Sequence, residues 1–282
     1  MIADVELAYR HMPGDGTCVV FISGLGEPGA VWAPVIDRLP ARTSTFTYDR
    51  AGCGHSGPVP AGGDDEARPV QWGAEQLLML LDTVGVPGPW VLVGHSIGGL
   101  IADSLARCRT EQVAGMVLID TSDPAFDTRI DSPRPILVDG RDGEGWRISM
   151  PATLEGFNPG PDNPVETVVI GSAIWRWLRV DDPAPYLPLT LLEADQHWHR
   201  HQLDLAKRWA GHLVVPHTAG HRVHEEAPDL VALATQAVVE AAAAGRPVRL
   251  DQEALVRSGG TVRIDAKGGT FTEWDSTGRR DI

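Results

Sequence analysis

The chain alternates between short apolar runs and amphipathic stretches. Residues 18–23 (Cys-Val-Val-Phe-Ile-Ser), 91–93 (Val-Leu-Val), 113–119 (Val-Ala-Gly-Met-Val-Leu-Ile) and 212–216 (His-Leu-Val-Val-Pro) are nearly continuous apolar runs of strand length. Such runs mark strands covered on both faces of a parallel sheet. Residues 5–10 alternate and predict an edge strand, and 44–48 and 187–195 predict two further strands. Residues 71–84 place Leu77, Leu78, Leu80 and Leu81 on one helical face. Helical spacing recurs over 97–107, 198–210 and 230–244, and 165–178 admits a helix as well. Strand and helix in alternation predict an α/β protein with a mostly parallel sheet flanked by helices.

One junction between strand and helix carries a motif. After the run at 91–93 comes Gly94-His95-Ser96-Ile97-Gly98, and the helical spacing starts at once. G-x-S-x-G in that setting is a nucleophile elbow: Ser96 projects from a strained turn, and side chains two residues before and after it would collide with neighbouring backbone. The helix start beside Ser96 adds free N–H groups and a positive dipole end where negative charge would develop.

With this elbow, the chain resembles the α/β-hydrolase fold over roughly residues 1–245. The resemblance implies a core made of 1–122 and 187–245, with an inserted cap over 123–186, a segment rich in Pro, Gly and Asp. Residues 246–282 have no counterpart in it. There, 261–265 and 270–274 flank Lys267-Gly268-Gly269 and suggest a β-hairpin in a C-terminal extension.

The same resemblance assigns further parts. The loop Ser23-Gly24-Leu25-Gly26-Glu27 occupies the place of a His-Gly-x-Gly-like loop, with Ser23 where a His usually stands. It implies that the N–H groups of Leu25 and Ile97 hold an oxyanion. Asp49-Arg50-Ala51-Gly52 resembles a D-R-x-G loop that braces its turn rather than reacts.

A serine needs a base and an orienting acid, in the chain order Ser, acid, His. His221, after a strand and Gly220, suits the base; His224 competes with it. For the acid, Asp120 at the end of the strand before the cap is preferred over Asp195, with Asp123 third. Aligning residues 191–197 on the family's other acid position puts His197 there and Asp195 two residues early. Gly24, Trp32, His95, Trp146, Trp175 and Trp177 are the candidate pocket residues, the Trp side chains serving as apolar walls or as core. His197, His199 and His201 form a dense run at a solvated or lid-facing helix end. They lack an H-E-x-x-H pattern, and no metal or cofactor is expected.

Composition narrows the partner. Lys+Arg of 24 against Asp+Glu of 38 gives a formal charge of −14, which argues against nucleic acid and anionic membrane and leaves a small-molecule substrate. Three cysteines cannot pair completely, and Cys18 and Cys108 are expected as buried thiols. With no leader-like or membrane-spanning apolar run, a cytoplasmic protein is expected. The reaction expected is hydrolysis of an ester or lactone through an acyl-enzyme. The same residues would serve acyl transfer, cyclisation, elimination or epimerisation, or a non-catalytic ligand-binding protein of this fold. Oligomeric state and substrate identity have no readable signal.

Overall fold

The apolar runs lie side by side at the centre of the molecule. The computed structural model describes residues 5–59, 67–130, 135–140, 145–157 and 163–264. Its strands, in chain order, are β1 (Tyr9–Met12), β2 (Asp15–Ile22), β3 (Thr43–Tyr48), β4 (Trp90–His95), β5 (Val113–Ile119), β6 (Ile136–Val138), β7 (Arg147–Ser149), β8 (Glu166–Ile170), β9 (His212–Pro216) and β10 (Gly260–Ile264). Eight form one sheet in the order β1-β3-β2-β4-β5-β8-β9-β10. The six inner strands are parallel, and β1 and β10 are antiparallel edges.

The helices are α1 (Ala33–Ile36), α2 (Val70–Val84), α3 (Ile97–Cys108), α4 (Pro124–Arg129), α5 (Met150–Gly156), α6 (Leu191–Arg208), α7 (Val223–Glu226), α8 (Pro228–Ala244) and α9 (Gln252–Arg257). Alternate strand residues supply two cores. Val20, Ile22, Leu92 and Leu118 pack with α2, α3 and α6 on one face. Val19, Phe21, Val91, Val93, Val117 and Ile119 pack with α1 and α8 on the other. Double coverage is why these strands read as continuous apolar runs instead of alternating ones.

Several expectations change. Residues 165–178 are not a helix: the β-branched run Thr167-Val168-Val169-Ile170 makes β8, an inner strand paired with β5 and β9. The segment 123–186 is therefore not one continuous insertion. It leaves the sheet before β8 with α4, the two-stranded β6–β7 sheet and α5, and again after β8 through residues 171–190. Residues 187–195 are not a strand, because Thr190 starts α6 with a reciprocal capping box: its Oγ1 accepts the Glu193 N–H and Glu193 accepts the Thr190 N–H. Lastly, the first arm of the expected hairpin is β10, which extends the core sheet beside β9; the second arm, 270–274, lies outside the described residues. Cys18 and Cys53 are buried thiols, while Cys108, at the end of α3, is exposed.

Candidate active site

β4 and β5 are neighbours, and both end at the same rim of the sheet. Ser96, directly after β4, has φ 54° and ψ −118°, a strained conformation for a residue with a side chain. The glycines around it make the turn possible. A Cβ on Gly98 would run into the carbonyls of Ile22 and Ser23, and one on Gly94 into the backbone of Gly98. The Ser96 N–H is fixed to the Ile119 carbonyl at 2.9 Å. Its hydroxyl lies 3.0 Å from His221 Nε2.

His221 sits in the loop after β9. Its Nδ1 lies 2.7 Å from Asp120 Oδ2. Asp120 directly follows β5, also at positive φ (39°), and is fully buried. Its other oxygen accepts the Ser172 N–H at 2.8 Å and Trp198 Nε1–H at 2.7 Å. Arg176 Nη1 lies 3.4 Å from Oδ2. Burial alone would raise this carboxyl; the Arg176 charge, the His221 hydrogen bond and charge, and the Trp198 N–H outweigh it and hold it well below the usual carboxylate range. An ionised Asp120 accepts from Nδ1–H, so Nε2 is the free lone pair facing Ser96. Ser96 then donates to His221, and the Ser122 hydroxyl, 3.1 Å from Ser96 Oγ, is left as a donor to it. His221 itself is pushed below 6.5, chiefly by burial, against the opposing pull of Asp120 and with help from His95 and Arg176. It is thus neutral and able to accept a proton around neutral pH.

The loop after β2 is a tight turn, Gly24 to Glu27, with Gly26 at φ 70°. Its polar groups are almost all engaged. Glu27 N–H binds the Gly24 carbonyl at 3.1 Å, and Gly24 N–H binds Glu27 Oε2 at 2.8 Å. Gly26 N–H binds Asp139 Oδ1 at 2.7 Å. Arg50 donates to the Ser23 and Gly24 carbonyls and pairs with Asp139 at 2.6 Å, both side chains buried. Among the described residues, the Leu25 N–H is the one donor of this turn with no acceptor. Ile97 is the first residue of α3, so its N–H has no intrahelical acceptor either. The Asp49-Arg50 loop braces more than itself. Asp49 caps Gly29 N–H and His55 N–H, and Arg50 with Asp139 pins the turn that carries Leu25.

The other singled-out residues fall in different places. Asp195 is buried within α6, accepting the N–H groups of Trp175 (3.0 Å) and Trp177 (3.4 Å) beside His199; it holds the 171–190 excursion and does not meet His221. Asp123 caps α4 and binds His197 at 2.9 Å. His197, His199 and His201 are not at a solvated helix end; they lie along α6 facing Asp123 and Asp195. His224 stacks on Trp32 and His95, fully buried; burial and the charge of His95 push it down to about 3. Trp32 is no pocket wall. It is fully buried, and its Nε1–H holds Ser23 Oγ at 3.0 Å. Trp146 packs on Trp72, donates to Asp139 and lines a small surface pocket with Leu7, Tyr48 and Arg50 that no residue of the Ser96–His221–Asp120 chain borders. Trp177 belongs to an aromatic cluster with Phe126 and Trp198, and Trp198 meets His221 edge-on. Trp175 is half-exposed at positive φ (65°).

Sequence reasoning missed Ser122, Ser172, Arg176, Trp198 and Glu27 as members of the site. For Ser122 its position two residues after Asp120 was an available signal. The others arrive from distant segments and left none.

Glu27, His95 and His224 place ligand-type atoms within 4.8 Å of one another. His224 Nε2 is 3.9 Å from Glu27, wider than the roughly 3.4 Å between donors around a tetrahedral zinc ion. Hydrogen bonds already account for His95 and Glu27.

A sheet of this order, an elbow serine at a strand end and a histidine after the last inner strand define a family. The chain belongs to the alpha/beta hydrolase family, whose model matches residues 19–234. It is 33% identical over 117 residues to a putative carbamate hydrolase RutD from Azorhizobium caulinodans, covering 42% of each chain. It is 31% identical over 194 residues to lipase LipV from Mycobacterium tuberculosis, covering 55% of this chain and 70% of that one. The chain spans about half or less of the length of most curated relatives it matches first. The fold is shared with a thermophilic esterase from Thermogutta terrifontis, with a TM-score of 0.54, 22% identity and coverage of 84% and 92%. Among the described residues, no helix is long and apolar enough to cross a membrane.

Proposed function

We propose that the chain is a serine hydrolase that cleaves an ester or lactone of a small molecule through an acyl-enzyme on Ser96. The unbroken chain from Ser96 Oγ to His221 to Asp120, at 3.0 and 2.7 Å, carries this reading. Ser96 Oγ attacks the acyl carbon while its proton passes to His221 Nε2. Asp120 holds the ring and offsets the imidazolium charge. The carbonyl oxygen becomes an oxyanion facing the N–H groups of Leu25 and Ile97. Collapse breaks the bond to the alkoxy oxygen, which takes the proton from His221, and the acyl group stays on Ser96. Water, deprotonated by His221, then attacks the acyl carbon; acid is released and the proton returns to Ser96. Relatives named as a lipase, a carbamate hydrolase and a methyl ester esterase support the acyl-transfer class, and the net charge of −14 supports a small-molecule substrate over nucleic acid.

Rapid-quench mass spectrometry with short-chain p-nitrophenyl esters tests it. The expected result is one acyl adduct on the wild type, absent in Ser96→Ala, with turnover reduced by about 10⁶-fold in the variant. Full turnover by Ser96→Ala would overturn the reading. So would a folded wild type that neither turns over any ester nor accumulates an adduct; a ligand-binding role would then take its place.

A further inference from the structure

His95, the residue before Ser96, takes no part in the reaction above, yet it is buried and both its ring nitrogens have fixed partners. Nε2 lies 2.8 Å from the backbone carbonyl of His221, and Nδ1 lies 3.0 Å from Glu27 Oε2. A carbonyl only accepts, so Nε2 carries a proton. Glu27 Oε2 also receives the Gly24 N–H. Burial alone would raise the Glu27 carboxyl, but the His95 hydrogen bond and charge, His224 and the Gly24 N–H hold it at about 2. Both ring nitrogens of His95 are thus spent on these two contacts, one in each half of the site.

The two partners belong to the two halves of the site. Glu27 closes the turn that presents the Leu25 N–H, and His221 is the base. His95 stands between them, directly behind Ser96. A Cβ on Gly24 would come within 2.7 Å of both His95 Nδ1 and Glu27 Oε2, so the turn lies flush against this pair. A second tie, Arg222 Nε to Glu27 Oε1 at 3.4 Å, runs on the solvent side. The groups facing His95 are Glu27 from the turn, the ring of His221 at 4.6 Å and that of His224 at 4.3 Å, with Arg222 reaching it through Glu27.

Resting on the serine-hydrolase reading, we propose that His95 is a positioning residue: a buried strut, hydrogen-bonded at both ring nitrogens, that holds the oxyanion turn and the catalytic histidine loop in register across Ser96. Losing the strut shifts both halves of the site, and a misplacement near 1 Å costs about 100-fold.

The test combines spectroscopy on the intact chain with two variants. In long-range ¹H–¹⁵N spectra of ¹⁵N-histidine-labelled wild type at pH 7.5, the ring signals that vanish in His95→Asn should show a protonated Nε2, and they should shift in Glu27→Gln. Both variants should lose about 100-fold in kcat, with KM within threefold. An unprotonated Nε2 at His95 would overturn the proposal. So would kcat within threefold of wild type in His95→Asn. A His95 signal that shifts on dialysis against EDTA and returns with zinc would replace the strut by an ion site. If His95→Asn does not fold, the wild-type spectrum and Glu27→Gln decide. A wild type that fails to react at Ser96 counts against the hydrolase reading, and the His95 spectrum is read independently of it.

Discussion

Two adjacent strand ends, those of β4 and β5, reach the same site by different means. Ser96 follows β4 and Asp120 follows β5, both at positive φ (54° and 39°). At β4 the strain is enforced locally. Gly94 and Gly98 stand where a Cβ would strike backbone, so the turn is written into five consecutive residues. At β5 nothing local marks Asp120. What singles it out are donors from elsewhere: the Ser172 N–H, Trp198 Nε1–H, His221 and Arg176, between 52 and 101 residues away for those with hydrogen bonds. The candidate nucleophile, placed by local sterics, is legible in five consecutive residues; the candidate acid, held by tertiary hydrogen bonds, is singled out in the sequence only through the resemblance to a known fold.

Asp120→Asn should keep the fold and lose about 10⁴-fold in kcat, because the His221 tautomer is no longer enforced. Asp195→Asn should leave kcat within threefold and lower the melting temperature instead, since its carboxylate caps Trp175 and Trp177. Steady-state kinetics with thermal melts on both variants checks the pair, and the opposite assignment of effects would reverse the two roles. Next, Asp139→Ala strands the buried Arg50 charge. A loss of about 3–5 kcal/mol in stability is expected from denaturant titration, together with weaker catalysis because the Leu25 turn loses two of its ties. Trp198→Phe keeps the ring and removes one charge-assisted donor to Asp120. About a tenfold fall in kcat is expected, with KM unchanged.

Smaller still are the pH effects. His221 lies below 6.5, so the acid limb of kcat/KM should fall below pH 6.5. His224 is neutral when folded, at about 3, against about 6.5 when unfolded. Below pH 6.5 the unfolded chain binds a proton the folded one does not, so stability falls toward acid. The slope approaches about 1.4 kcal/mol per pH unit. Melts between pH 6.5 and 4.5 should be less steep in His224→Phe, and equal slopes would remove His224 as the cause.

The same physics explains which parts of the fold the sequence carried. The inner strands β2, β4, β5 and β9 are apolar on both faces, and their runs are plain. The errors fall in 165–195, where short-range signals compete. Val165 to Trp177 has apolar residues that fit a helical period, but Thr167 to Ile170 is β-branched and pairs with β5. The Leu-rich run at 187–192 looks extended until the Thr190–Glu193 box is noticed. Misplacing that strand also made Asp195 look like an acid at a strand end, when it lies inside α6. Arg176 and Trp198 left no motif at all; their roles come from contact with Asp120, which only the chain's return past β8 creates.

The most direct test of the proposed triad is the rate of fluorophosphonate labelling, followed by intact mass, for wild type, Ser96→Ala, Asp120→Asn and Asp195→Asn. The account predicts a single adduct on wild type, none on Ser96→Ala, labelling slowed by at least about 10²-fold in Asp120→Asn, and a near-wild-type rate in Asp195→Asn. Fast labelling of Asp120→Asn alongside slow labelling of a folded Asp195→Asn would contradict it.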